Sequence, residues 1–286
     1  MTSATTQRRL DKLLTERPET APLATLLEAA IREGSESAWT EAARTARFPV
    51  TRDPANPILT GATVAVPAEV ADRWVRRVLA TGAGGGPAAA SLGPAARSGA
   101  LDALALLAAA VDGDEARLVA QAEALEADPA VLAVVAAYAA WPLLRALRQQ
   151  WGATVAPNWA EGFCPVCGDW PALAEHRGLE RARRLRCARC GGDWSSPAFT
   201  CAFCGETDHA KLVGLVPEGG GEASRADGCE SCRGYLKALA TLKAWDAEEV
   251  ALADAGSIEL DWAATEAEFE RPPGPAVPLG LRLVPA

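Results

Sequence analysis

All eight cysteines of this 286-residue chain lie in four Cys-x-x-Cys pairs between residues 164 and 232. The pairs are Cys164 and Cys167, Cys187 and Cys190, Cys201 and Cys204, and Cys229 and Cys232. A turn of this kind points both sulfurs at one spot, and two turns complete a tetrahedral four-sulfur site. The first three pairs are followed by Gly, which accepts the positive φ that such a turn requires.

The spacing predicts which pairs share a metal ion. Inserts of 19 and 24 residues, each long enough for a hairpin, separate the first pair from the second and the third from the fourth. We therefore expect one ion between the first two pairs and one between the last two, rather than an interleaved arrangement. Tetrahedral sulfur suits both zinc and iron, so the prediction is two metal ions per chain, iron or zinc.

Two other uses of cysteine fit less well. Disulfides are rare in a reducing cytosol, and the N-terminus does not resemble a secretory signal, because Arg8-Arg9 is followed by a charged stretch rather than an apolar one. Dithiol redox catalysis generally uses a single Cys-x-x-Cys that opens a helix after a strand. The four pairs in series therefore favour metal sites. The N-terminal sequence favours a cytoplasmic location.

Charge and hydropathy argue against two classes of partner. The net charge is −9, and residues 164–232 hold 8 Lys+Arg against 10 Asp+Glu, so a broad phosphate-binding surface is not expected. The apolar run 130–144 is 15 residues long, whereas a membrane span needs about 20. We expect no nucleic acid, no membrane insertion and a buried core helix over this run.

The fold class expected is α+β: an all-α N-terminal domain, then two tandem rubredoxin-like or zinc-ribbon modules, then a C-terminal helix. The corresponding domain boundaries are 1–160, 161–198, 199–245 and 246–286, the last with a Pro-rich tail. Apolar residues at helical spacing predict helices over 5–17, 20–33, 67–81, 98–111, 114–127 and 129–150, with an extended loop at 48–66.

Alternating patterns predict two hairpins in the cysteine region. The first pairs residues 172–177 with 180–186, and the second pairs 210–216 with 222–226 around a turn at 217–221. Residues 235–245 are expected to form a returning strand, followed by one helix from Asp246 to about residue 270. Four arginines on the second strand suggest a surface for an anionic partner or, more simply, a solvated strand: Arg181, Arg183, Arg184 and Arg186.

No catalytic constellation emerges from the sequence. His176 and His209 are the two histidines of the chain, and neither has another histidine nearby in sequence. Eight thiolates already complete two sites, so surface or hydrogen-bonded roles are expected for both. Closed four-cysteine sites leave no position for water or substrate, which argues against metal-assisted hydrolysis. We expect a protein that is not an enzyme.

The cysteine region resembles the bacterial formate dehydrogenase accessory protein family, FdhE. The residues that carry the resemblance are FCPVCG at 163–168, LRCARC at 185–190, DW at 193–194, CAFCG at 201–205 and CESCRGYLK at 229–237. Trp194 and the Tyr-Leu-Lys that follows the fourth pair separate this pattern from generic zinc ribbons. The specific match covers about a quarter of the chain, and the helical flanks agree in layout.

The resemblance implies a cytoplasmic, non-catalytic protein that is needed for active formate dehydrogenase and binds its catalytic subunit, a molybdenum enzyme. It also implies that the eight cysteines are metal ligands. Two alternatives remain open, a nucleic-acid-binding zinc ribbon and a rubredoxin-like electron carrier. The sequence leaves the oligomeric state, the native metal and the mode of activation undetermined.

Overall fold

A computed structural model describes residues 4–217, 221 and 223–286, and the chain divides into two compact units. The first comprises residues 1–53, 58–154 and 278–286, and the second comprises 54–57 and 155–277. The fold is mixed α and β, as predicted. The predicted turn at 217–221 and the start of the strand at 222 involve residues 218–220 and 222, which lie outside the described residues.

The first unit is mainly helical. Its helices are α1 (Ala4–Glu16), α2 (Ala21–Glu33), α3 (Ser37–Arg44), α4 (Ala68–Gly82), α5 (Leu92–Arg97), α6 (Ala103–Asp112), α7 (Glu115–Ala124) and α8 (Pro129–Trp151). Aspartates are the N-caps of α6, α7 and α8: Asp102, Asp114 and Asp128 each accept a hydrogen bond from a backbone N–H of the first turn. The short helices α3 and α5 were not predicted, because fewer than nine residues show little periodicity.

The predicted loop 48–66 and the predicted irregular tail both contain a strand. Strand β1 (Thr63–Val66) pairs in parallel with the last strand of the chain, β8 (Arg282–Pro285). This pairing places residues 278–286 in the first unit rather than in a C-terminal tail. More than 200 residues separate the two strands, so no local pattern could have indicated their pairing.

Helix α8 is the long apolar element of the first unit. Residues 129–154 have the length and composition of a membrane span, but the 18-residue window that reaches a mean hydropathy of 1.8 is 61% buried inside the protein. Leu143, Leu144 and Leu147 are fully buried, and the Trp74 indole of α4 donates to the Ala139 carbonyl at 2.9 Å. These contacts are those of a core helix.

One buried carboxylate holds α2 against α3 and α4. Glu33 is 1% exposed and accepts hydrogen bonds from the Trp39 indole at 3.1 Å, from Arg73 at 3.1 Å and from Arg77 at 3.0 Å. Three donors satisfy the buried charge, as a carboxylate in an apolar core requires.

The second unit contains one six-stranded sheet. Its strands are β2 (Leu173–Arg177), β3 (Ala182–Arg186), β4 (Asp193–Ser195), β5 (Leu212–Leu215), β6 (Ser224–Cys229) and β7 (Tyr235–Thr241), in the spatial order β4-β3-β2-β7-β6-β5. Both predicted hairpins are present, β2 with β3 and β5 with β6.

The two cysteine-bearing halves are joined within this sheet. Strands β2 and β7 pair in parallel, from Leu173 opposite Lys237 to Arg177 opposite Thr241, while the other neighbours are antiparallel. The strand predicted to return to its own ribbon therefore also pairs with the other one. The two modules that the sequence predicts in tandem therefore share one backbone hydrogen-bond network.

The predicted C-terminal helix is two helices, α9 (Ala247–Gly256) and α10 (Ile258–Glu266). Asp246 caps α9 as predicted and forms a capping box with Glu249. The break falls at Ser257, whose hydroxyl donates to the carbonyls of Ala253 and Asp254 and competes with the helical hydrogen bonds.

Helices α9 and α10 cover one face of the sheet. The apolar core between them and the strands comprises Leu173, Ala226, Tyr235, Leu239, Val250, Leu260, Ala264 and Phe269. Lys237 of β7 lies on the same face, is 1% exposed, and places its ammonium 2.8 Å from both Asp254 and Asp261. The Tyr235 hydroxyl donates to Asp261 at 2.7 Å. The Tyr-Leu-Lys motif thus anchors both helices to the sheet.

We expect Lys237→Met to destabilise the second unit by about 3 kcal/mol, because it removes the buried cation that lies between Asp254 and Asp261 and leaves both carboxylates to Arg271. Lys243→Met is the matched control: Lys243 lies exposed in the turn after β7, and its replacement should change stability by less than about 0.5 kcal/mol. Urea unfolding followed by tryptophan fluorescence measures both. Equal stability of the two variants would contradict the anchoring role.

Candidate metal centres

The four Cys-x-x-Cys turns share one backbone geometry. In each turn the N–H four residues after the first cysteine donates to that cysteine's carbonyl, at 2.8 to 3.0 Å. The cysteine N–H in turn donates to the carbonyl five residues on, at 2.8 to 3.0 Å. These paired hydrogen bonds fold each turn back on itself and bring its two sulfurs together.

The residue after each second cysteine has a left-handed backbone. Gly168, Gly191 and Gly205 have φ of +71°, +79° and +75°, as the sequence predicted. The fourth turn places Arg233 there with φ +60°. Its guanidinium donates to the carbonyls of Ala267 and Glu268 and lies 4.1 Å from the Phe269 ring centroid. Contacts with the end of α10 therefore hold a conformation that is costly for a side-chain-bearing residue.

Two four-sulfur clusters result. The first cluster is Cys164, Cys167, Cys187 and Cys190, and the second cluster is Cys201, Cys204, Cys229 and Cys232. Within each, the sulfurs lie within 4.8 Å of one another. The grouping is sequential, with the first two pairs together and the last two together, and not interleaved.

The sulfur spacing suits a tetrahedral metal ion. Zn–S bonds of about 2.3 Å in a tetrahedron separate the sulfurs by about 3.8 Å. Cys164 and Cys190 are 3.5 Å apart, as are Cys167 and Cys187. In the second cluster the corresponding pairs, Cys201 with Cys232 and Cys204 with Cys229, are 3.7 Å apart. The two clusters could therefore hold two metal ions.

The clusters differ in their exposure to solvent. All four cysteines of the first cluster are buried, whereas Cys204 and Cys232 of the second are exposed. A Cβ added at Gly192 would lie 2.6 Å from the Cys164 sulfur, so the first cluster is closed by backbone packed directly against it. In the second cluster, the N–H groups of Phe203 and Gly234 approach the Cys201 and Cys232 sulfurs at 3.4 Å.

Crowding of the thiols drives their pKa values apart. Hydrogen bonding with Cys164, then with Cys187, raises the pKa of Cys167. Hydrogen bonds with Cys164 and Cys167 lower the pKa of Cys187. A thiolate at Cys187 is thus stabilised by its neighbours, and the thiolate is the form that ligates metal. Beside this cluster, burial raises the pKa of Asp169 to about 7, against the opposing charge of Arg189.

Three of the four arginines of the predicted strand 180–186 make hydrogen bonds or ion pairs within the protein. Arg186 is 2% exposed and bonds to the buried Glu175, and Arg184 pairs with Asp193 at 2.6 Å. Arg183 holds the loop that leads to the third turn, through Ser196, Pro197 and Thr200. Trp194 is 3% exposed, and its indole donates to the Glu161 carbonyl.

The two histidines lie outside both clusters. His176 is on β2, and His209 is in a short 3₁₀ turn where its ring lies 4.9 Å from that of Phe199. What the sequence analysis missed is the charged anchor of the fourth turn, Arg233. The absent glycine after Cys232 was the available signal, because the left-handed position then needs another stabilising contact.

The fold and the site define an α+β protein with two tetracysteine clusters in one sheet. A family model described as "FdhE, C-terminal domain" matches residues 199–276. FdhE homologues from Stutzerimonas stutzeri and Pectobacterium carotovorum are 34% and 33% identical over 112 and 124 residues. These alignments cover 38% and 42% of this chain, and 36% and 38% of the relatives, so they span little more than a third of either.

The crystal structure of the FdhE protein from Pseudomonas aeruginosa shares the fold over nearly the whole length. It matches with a TM-score of 0.56 and 22% identity, covering 97% of this chain and 95% of the other. The family model, the homologues and the fold agree in that FdhE proteins are what this chain is similar to.

Alanine substitutions at two glycines in equivalent turns distinguish the free-energy cost of a left-handed backbone from the cost of steric crowding. Gly205→Ala should cost about 1 kcal/mol, because its Cβ meets nothing within 4 Å and the change adds only left-handed strain. Gly191→Ala should cost about 3 kcal/mol, because its Cβ would lie 2.4 Å from that of Ala247. Denaturant unfolding of both variants measures the difference. A loss for Gly205→Ala as large as that for Gly191→Ala would contradict this account.

Proposed function

We propose that this chain is an accessory protein that binds the catalytic subunit of formate dehydrogenase in the cytoplasm and has no catalytic turnover of its own. The observation that carries the proposal is the match of residues 199–276 to the FdhE C-terminal domain, a segment that contains the whole second cluster. The FdhE-like fold over nearly the full chain supports it.

We further propose that the eight cysteines are the metal ligands, four to each ion. The sulfur spacing supports this assignment, and four thiolates around one ion leave no coordination position for water or substrate. Such an ion supplies folding free energy, on the order of 10–16 kcal/mol for structural zinc in small peptides. Zinc would act as a staple, and iron would add one-electron chemistry.

The difference in exposure predicts two rates of metal release. We expect excess EDTA to remove metal from zinc-loaded protein in two phases, the faster one from the second cluster, because Cys204 and Cys232 are open to solvent. Cys201→Ser with Cys204→Ser should abolish the fast phase, and Cys164→Ser with Cys167→Ser the slow phase. A colorimetric zinc indicator follows the release, and far-ultraviolet circular dichroism should show the helices retained. Release in one phase would contradict the assignment.

The proposed partner, the catalytic subunit of formate dehydrogenase, is tested by gene deletion and by affinity capture. Deleting the gene should lower formate dehydrogenase activity severalfold, and a plasmid copy should restore it. Under anaerobic conditions the purified protein should retain the catalytic subunit of formate dehydrogenase but not an unrelated molybdenum enzyme. Full activity in the deletion strain, together with no recovery of the subunit, would overturn the proposed function.

A rubredoxin-like electron carrier is the second candidate. The exposed sulfurs of Cys204 and Cys232 favour it, because electron transfer requires a donor or acceptor close to the surface. Visible absorption of iron-loaded protein distinguishes the two functions. Reduction by formate in the presence of catalytic amounts of formate dehydrogenase supports the carrier, and an unchanged spectrum supports the accessory role.

A further inference from the structure

A groove of about 730 Å³ lies in the second unit, on the sheet face opposite to α9 and α10. Its floor includes Ala238 and Ala240 of β7 and Gly214 of the edge strand β5, which have little or no side chain to fill the space. One wall is the segment that enters the third cysteine turn, with Phe199 and Phe203. The groove is therefore a product of small residues on β5 and β7.

The polar groups of the groove are not all satisfied by the protein. Arg225 and Asp227 of β6 pair with each other at 2.6 Å, which neutralises both. Arg183 of β3 makes its three hydrogen bonds from Nη1 alone, and every acceptor is uncharged. Among the described residues, Nε and Nη2 of this cation have no hydrogen-bond partner. These two nitrogens form the edge of a guanidinium that binds a carboxylate in two-point fashion.

His176 of β2 adds a second unsatisfied group. Its Nε2 is buried and has no hydrogen-bond partner in the described part of the chain. Burial lowers the pKa of His176, which favours the neutral imidazole. His176 also lines the groove, so an unsatisfied polar atom lies beside the apolar floor.

Exposed apolar side chains continue the groove outwards. Phe199 is 66% exposed and has a left-handed backbone, with φ +56°, and Val216 is 43% exposed. Leu179, at the tip of the β2–β3 hairpin next to the groove residues Glu180 and Arg181, is 97% exposed. Large apolar groups gathered at the mouth of a pocket are typical of a surface that binds another protein.

We propose that this groove binds a short extended segment of a partner protein, in which one acidic residue is flanked by apolar residues. The carboxylate pairs with Nε and Nη2 of Arg183, and the apolar flanks lie on Phe199 and Val216. Charge favours a peptide over nucleic acid, because the groove cations Arg181, Arg183 and Arg225 are offset by Glu180, Asp227 and the second cluster and leave no excess of positive charge for phosphates. This proposal does not depend on whether the partner is the catalytic subunit of formate dehydrogenase.

Binding of a fluorescein-labelled, capped peptide with one central glutamate between valines and leucines tests the proposal, by anisotropy titration against the full chain. The same peptide with glutamine should bind about tenfold more weakly, the loss expected of a charged hydrogen bond. Arg183→Lys should lower the affinity for the glutamate peptide about tenfold and leave the affinity for the glutamine peptide unchanged. Lysine keeps the charge but cannot make the two-point contact.

Arg183 also holds a loop, so a second variant locates the site without disturbing that loop. Ala240→Leu fills the floor of the groove and should abolish binding. Ala244→Leu, also exposed but outside the groove, is the matched control and should bind as the unaltered protein does. Circular dichroism and metal content should be the same in all variants.

Several results would overturn the proposal. They are no saturable binding at millimolar peptide, equal affinity for the glutamate and glutamine peptides, unchanged binding to Ala240→Leu, and binding of free glutarate as tight as that of the peptide. Tighter binding of a single-stranded RNA oligonucleotide, lost in Ala240→Leu, would assign the groove to nucleic acid instead. None of these outcomes depends on formate dehydrogenase, so failure here and failure of the proposed function are distinguishable.

Discussion

The parallel pairing of β2 with β7 is the interaction on which the second unit depends. It joins a hairpin that carries the first cluster to a hairpin that carries the second, and so makes one six-stranded sheet from two short ribbons. A ribbon of roughly 35 residues cannot usually bury enough apolar surface to be stable alone. The shared sheet supplies a face large enough for α9 and α10, and that packing is the unit's apolar core.

Two buried charges on these neighbouring strands make the arrangement specific. Glu175 on β2 accepts from Arg177, Arg186, the Thr241 hydroxyl and a backbone N–H at Trp245. Lys237 on β7 is balanced by carboxylates from both C-terminal helices. Each charge would be costly if the strands slipped by one residue, because a slip moves every side chain to the other face.

The same turn geometry produces two clusters of different character. Glycine backbone packs against the first cluster and closes it, whereas two sulfurs of the second remain at the surface. The second cluster also borders the groove, since Cys201 and Cys229 contribute to its lining. The buried sulfurs of the first cluster suit a structural metal site. The exposed sulfurs of the second, beside an arginine and a histidine with unsatisfied polar atoms, suit a surface that binds a partner.

Features determined by neighbouring residues could be read from the sequence: the four cysteine turns, the glycines with positive φ, the capping Asp128 and Asp246, and both hairpins. The sequence did not reveal the pairing of β1 with β8, the joining of two ribbons through β2 and β7, or the left-handed Arg233. Each depends on a partner distant in the chain, whose register is set by packing and not by local pattern. The groove belongs to the same class, because small residues become a cavity only when the strands that carry them lie side by side.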